Sequence, residues 1–152
     1  MKVFLGGTYN NSLWRDTLIP MLAIDYFNPV VKDWTPECQT EELKQREECD
    51  YCLYVITPRM TGVYSIAEVV DDSNKRPEKT IFCWLSKDER PGEAMNPLFD
   101  TAQLRSLGAV ETMVIMNGGN LFRSLEEVAE FLNHEFEKEN DMMAELLKRG
   151  YL

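Results

Sequence analysis

The sequence predicts an α/β domain built on a doubly wound, five-stranded parallel sheet of the flavodoxin-like or Rossmann-like kind, on three observations. Short, nearly continuous apolar runs alternate with helix-patterned segments along the whole chain. Those runs lack the strict in-out alternation of a one-sided sheet, so they read as strands buried on both faces. Each run ends in a Gly, Pro or Asn loop that leads into the next helix. The strand order 2-1-3-4-5 is taken from the fold class.

The elements follow in order. Lys2 to Gly6 reads as a first strand that turns through Gly7-Thr8-Tyr9-Asn10-Asn11-Ser12 into a helix near Leu13 to Leu22. A short strand, Asp25 to Asn28, stops at Pro29, and an acidic helix spans about Gln39 to Glu48. The most strand-like segment is Tyr51-Cys52-Leu53-Tyr54-Val55-Ile56-Thr57, closed by Pro58. A helix from Ser65 to about Asn74 and the strand Thr80 to Leu85 come next. A loop rich in charge, Pro and Gly covers Ser86 to Pro97, before a short helix near Thr101 to Leu107. A strand at Glu111 to Met116 and a terminal helix from Ser124 complete the pattern. With 152 residues and no repeat or linker, residues 1–152 form a single domain, with room for an extra C-terminal helix at 141–149.

Charge narrows the partners. Asp and Glu outnumber Lys and Arg by 26 to 16, for a formal charge of −10, so the chain repels DNA and RNA at long range. A polymeric nucleic-acid partner is not expected, whereas a small nucleotide in a local pocket is compatible with that charge. No stretch reaches the ~20 apolar residues of a membrane span. The start, Met1-Lys2-Val3-Phe4-Leu5-Gly6-Gly7, lacks the apolar core and cleavage site of a signal peptide, and a cytoplasmic location is expected.

Cys49 and Cys52 form a C-x-x-C that precedes a strand rather than opening a helix, where a thiolate would be stabilised. Cys52 and Cys83 fall in apolar runs and read as small core residues. Cys38 and the single histidine, His134, are too far away in sequence to suggest a zinc site. No metal or redox cofactor is expected.

In open α/β sheets ligands bind beyond the carboxyl ends of the strands, at the switch point beside the first strand. The segments delivered there are Gly6 to Ser12, Asn28 to Trp34, Pro58 to Glu68, Trp84 to Lys87 and Asn117 to Asn120, whereas Asp50 and Lys79 belong to the opposite rim. The first loop lets backbone approach a ligand closely, or is simply a capped strand-to-helix turn. The second could supply an aromatic wall in Trp34 and a carboxylate in Asp33, or Trp34 could cover the core edge. In the third, Ser65-Ile66-Ala67-Glu68 fits a capping box, in which Glu68 bonds back to the start of its own helix. A catalytic Glu68 would instead turn its carboxylate into the pocket.

The Gly-Gly-Thr turn at Gly6, Gly7 and Thr8 resembles that of the nucleoside 2-deoxyribosyltransferase family, in its shorter "nucleoside 2-deoxyribosyltransferase-like" branch. So do Cys49-Asp50-Tyr51 opening a strand and the segment Thr61-Gly62-Val63-Tyr64-Ser65-Ile66-Ala67-Glu68. Trp14-Arg15-Asp16 and Tyr26-Phe27-Asn28-Pro29 are also similar to this branch, over about Val3 to Leu85. The resemblance implies cleavage of the N-glycosidic bond of 2'-deoxynucleosides or their 5'-monophosphates, with transfer of the sugar to a base or to water. It implies Glu68 as nucleophile, Tyr9 orienting the carboxylate or the sugar, and Asn117 contacting the sugar. Gly6, Gly7, Thr8, Asn28, Trp34, Gly62, Tyr64 and Ser65 would line the substrate site. It also implies a homo-oligomer.

One departure stands out. Transferases of the family carry an acid six positions before the nucleophile, and here that position is Gly62. Asp33 and Asp16 are the candidates to protonate the departing base, and Glu42 matches an acidic position on the helix before the central strand. Two rival readings remain: a nucleotide-binding module without turnover, and a glycohydrolase acting on NAD or a related signalling nucleotide.

Overall fold

The computed structural model describes residues Met1–Leu152. Its strands are β1 (Lys2–Gly7), β2 (Asp25–Phe27), β3 (Tyr51–Ile56), β4 (Thr80–Trp84) and β5 (Asn120–Phe122). Its helices are α1 (Trp14–Leu18), α2 (Pro36–Glu48), α3 (Tyr64–Lys75), α4 (Thr101–Met116) and α5 (Leu125–Lys148). All strand pairs are parallel and the order is β2-β1-β3-β4-β5, a doubly wound, flavodoxin-like sheet as predicted. The chain reverses its winding direction after β2, so the switch point lies between β1 and β3.

The pleat explains the near-continuous strand runs. Successive side chains go to opposite faces, and each face is covered by helices. Val3, Leu5, Leu53, Val55, Ile81 and Cys83 pack with Trp14 and Leu18 of α1 and with Leu125, Val128 and Leu132 of α5. Phe4, Cys52, Tyr54, Ile56 and Phe82 face the other way, against Val69 of α3 and Leu107 and Val114 of α4. Cys49, Cys52 and Cys83 are buried free thiols within this packing.

Three expectations are corrected. Glu111 to Met116 is not a strand but the second half of α4, and the fifth strand is Asn120–Phe122. The run is helical because Leu107, Val110 and Val114 recur at helical spacing and only that stripe meets the core, while Ile115 and Met116 are exposed. Asp100 starts this helix with a capping box to Gln103. The Gly118 amide donates to the Ile115 carbonyl and the Gly119 amide to Val114, a Schellman end with Gly118 at φ 93°.

The second correction concerns α1, which ends at Leu18 and passes into a 3₁₀ turn, Ile19–Met21, at Pro20. The third concerns the C-terminus. No separate helix occupies 141–149, because α5 continues unbroken for 24 residues through the polar segment Glu137 to Asp141. A polar stretch of good helix formers does not interrupt a helix.

Candidate active site

The switch point opens into a cavity of about 400 Å³, within the size range of small-molecule sites. Gly6 and Gly7 at the end of β1 form part of its wall, with Tyr9 from the loop that follows. Gly7 has φ 119°, and a Cβ there would lie 2.1 Å from the Val55 carbonyl oxygen. Only glycine lets the chain turn away from the sheet so close to β3. Pro29, Val30, Val31, Lys32 and Trp34 of the loop after β2 supply a largely apolar wall. Tyr64, Ser65 and Glu68 of α3, Glu42 of α2 and Arg15 of α1 complete the lining.

Glu68 does not cap its helix. The N-cap is Val63, with no side-chain cap bond, so Ser65 already lies inside the first turn and the capping-box register is lost. The carboxylate turns instead toward Arg46, whose Nη1 donates to Oε1 at 3.4 Å. Glu68 is buried, and that burial lifts its pKa to about 7; Arg46 opposes the rise, and Glu42 and Asp72 add to it. Glu42 is likewise raised above the usual carboxylate range by burial, against the pull of Arg46 and Arg15. The cavity therefore holds two carboxyl groups whose protonated forms are favoured by their surroundings.

The guanidinium of Arg15 serves the backbone. It donates to Leu5 O at 2.8 and 3.1 Å and to Thr8 O at 2.8 Å, and Trp14 Nε1 joins it on Thr8 O at 2.8 Å. These bonds hold the first loop in its turn. Burial brings Arg15 down to about 10, which leaves it protonated at neutral pH.

The residues expected at the site divide clearly. Glu68, Tyr9, Gly6, Gly7, Trp34, Tyr64 and Ser65 line the main cavity. Gly62 and Thr8 line a smaller recess of about 150 Å³ that shares Gly7, Tyr9, Tyr64 and Ser65 with it. The Thr8 hydroxyl accepts from the Thr57 amide at 2.9 Å and so ties the first loop to the end of β3. Asn28 shapes its own loop, its Oδ1 accepting from the Val30 amide at 3.1 Å. Asp33 and Asp16, the acids considered in place of Gly62, are exposed and outside the cavity lining.

Asn117 lies on the wrong rim. It ends α4 and precedes β5, at the amino ends of the strands, and its Nδ2 donates to Ser73 Oγ at 2.9 Å. The displaced strand assignment caused that error, since a residue after a strand and one before it sit at opposite edges of a parallel sheet. The loop Asn28 to Trp34 was expected at this rim and supplies Pro29 to Lys32 as well as Trp34, whereas Arg15 and Arg46 were not anticipated. For Arg15 the only signal was the Trp14-Arg15 pair directly after the Gly-Gly turn. No three His, Cys, Asp or Glu side chains converge as a metal-ligand set.

Comparison with curated proteins gave no match. The family profile described as "Nucleoside 2-deoxyribosyltransferase like" matches residues 1–87, the stretch that includes β1 to β4 and every residue lining the cavity. With more than half of its length covered, including the Gly-Gly turn and the helix bearing Glu68, the chain belongs to the nucleoside 2-deoxyribosyltransferase-like family.

Proposed function

We propose that this protein cleaves the N-glycosidic bond of 2'-deoxynucleosides or their 5'-monophosphates through a covalent glycosyl intermediate on Glu68. The observation that supports this best is the direction of the Glu68 side chain. It forgoes its own helix start and lies buried in the cavity lining, with one oxygen on Arg46 and the other free of any protein partner. In the first step a Glu68 oxygen bonds to C1' as the C1'–N bond breaks, and the electron pair of that bond leaves with the base. Glu42 is the acid of this reading: it lines the same cavity, and its burial favours the protonated form that can donate to the departing nitrogen. In the second step water or another base attacks C1' and releases the Glu68 carboxylate.

The aromatic and aliphatic wall of Tyr9, Val30, Val31 and Trp34 suits a planar base better than a second charged group. The test is a panel of deoxynucleosides with and without a 5'-phosphate, together with NAD, followed chromatographically for free base. Wild type releases base from at least one deoxynucleoside substrate. E68A, folded by circular dichroism, falls by at least ~10³-fold, and E42Q loses most on substrates with poor leaving bases. Nicotinamide release from NAD alone, or tight binding without product, replaces this reading with one of its two rivals.

A further inference from the structure

Beneath the cavity lies a buried ionic cluster that the two chemical steps do not use. Arg46 of α2 grips Asp72 of α3 with one edge of its guanidinium, Nη2 to Oδ1 at 2.7 Å and Nε to Oδ2 at 3.1 Å. Asp72 is fully buried, accepts from the Tyr54 hydroxyl of β3, and also pairs with Arg76 at 2.9 Å. Asp71 meets the same Nη2 at 3.4 Å from a more exposed position. One nitrogen of Arg46 takes no part in this clamp. That nitrogen, Nη1, has Glu68 as its sole partner.

We propose that Arg46 is a positioning residue for Glu68: the Asp72–Tyr54 clamp fixes the guanidinium so that Nη1 holds the Glu68 carboxylate in place and favours its ionised form. A clamp that only joined α2 to α3 would need no more than the fork onto Asp72. The guanidinium also differs from an ammonium in this setting, because a planar group can engage two partners at fixed angles and a lysine cannot.

The charges that bear on Glu68 are known. Arg46 and Glu42 face it from α2 and Asp72 from its own helix, while Arg76 and Tyr54 act on it through Asp72 and Arg15 acts through Glu42. Burial opposes the charge of Arg46, yet the bond to Asp72 and the nearby anions keep it firmly cationic. Asp72 is held below its ordinary value despite burial, because Arg46 and Tyr54 both donate to it. Arg46 is thus a fixed positive charge across the range in which Glu68 titrates.

The inference gives the proposed nucleophile its support, and its primary readout does not need turnover. In full-length protein carrying ¹³C-labelled glutamate side chains, the Glu68 signal is assigned by its loss in E68Q and titrated against pH. D72N removes a nearby anion and keeps Arg46, so the Glu68 midpoint falls or holds. D72N combined with R46M removes the cation as well without leaving Asp72 an unpaired buried anion, and the midpoint then rises at least about one pH unit above that of D72N.

Midpoints that agree within about 0.3 pH unit in the two folded variants would overturn the proposal. Should the double variant fail to fold, the wild type still decides. The Arg46 guanidinium ¹⁵N signal must shift with the Glu68 midpoint and lose that shift in E68Q, and an unresponsive signal overturns the proposal. Where wild type turns over, the double variant loses at least ~10-fold in kcat at neutral pH with KM within about threefold, and higher pH partly restores it. An inert wild type would remove the nucleophile reading and leave the carbon and nitrogen titrations to judge Arg46.

Discussion

Glu68 shows how one residue type can satisfy a local rule on paper and break it in the fold. The S-x-x-E spacing fits a capping box with Ser65 as N-cap, yet α3 begins at Tyr64, two residues earlier than that box requires. The carboxylate is then free to meet Arg46, at the cost of desolvation. Because its folded pKa, about 7, lies above the ordinary 4.5, the folded protein holds a proton on Glu68 that the unfolded chain has lost. Stability contributed by this residue is therefore present below pH 4.5 and declines as pH rises to 7, by roughly 3 kcal/mol in all. E68Q is expected to melt several degrees above wild type at pH 8, with the difference closing at pH 5. A lower melting temperature for E68Q at pH 8 would mean that the ion pair with Arg46 outweighs desolvation.

At the scale of elements, the parts that were legible are those whose pattern is local. β3 is apolar throughout because both of its faces are covered, and α3 shows its buried stripe at Val69 and Asp72 with Glu68 beside it. The β1 turn was legible as well, through two adjacent glycines. Placing alanine at Gly7 is expected to cost about 3 kcal/mol or more in denaturant unfolding, since the new methyl group meets the β3 backbone at a φ that alanine disfavours. A variant as stable as wild type would show that the turn can move.

The α4–β5 region was misread because Ala109 to Met116 is apolar enough for either a strand or a helix of that length. Asn117-Gly118-Gly119, a helix C-terminus signal, was the feature that could have separated them. N117A is accordingly expected to leave kcat/KM for base release within about twofold of wild type while lowering stability slightly. A large rise in KM would return Asn117 to the substrate site. Arg46 was illegible for another reason. Its partners lie 22 and 26 residues further along the chain and meet it only when α2 and α3 pack side by side.

At the scale of the whole molecule, a rigid sheet presents the cavity on one edge, and α5 extends past the body it covers. Leu125, Val128 and Leu132 seat its first half on the sheet, whereas Met142, Met143 and Leu147 are exposed. Removing residues 141–152 should leave the thermal midpoint within about 3 °C, because so little of that segment is buried. A fall of more than about 10 °C would show that the end of α5 supports the fold. The formal charge of −10 belongs to the chain as a whole. At the cavity wall and beneath it, by contrast, Arg15 and Arg46 are committed to carbonyl or carboxylate partners, and the proposed reaction assigns its chemistry to Glu68 and Glu42.

The covalent bond proposed at Glu68 is open to direct measurement. Wild-type protein is mixed with a deoxynucleoside that it cleaves, quenched in acid within the first turnover, and weighed intact and after proteolysis. The account predicts a population heavier by one deoxyribosyl group, mapped to the peptide containing Glu68 and absent from E68Q. Base release without any such adduct, in a protein whose E68Q variant remains active, would contradict it.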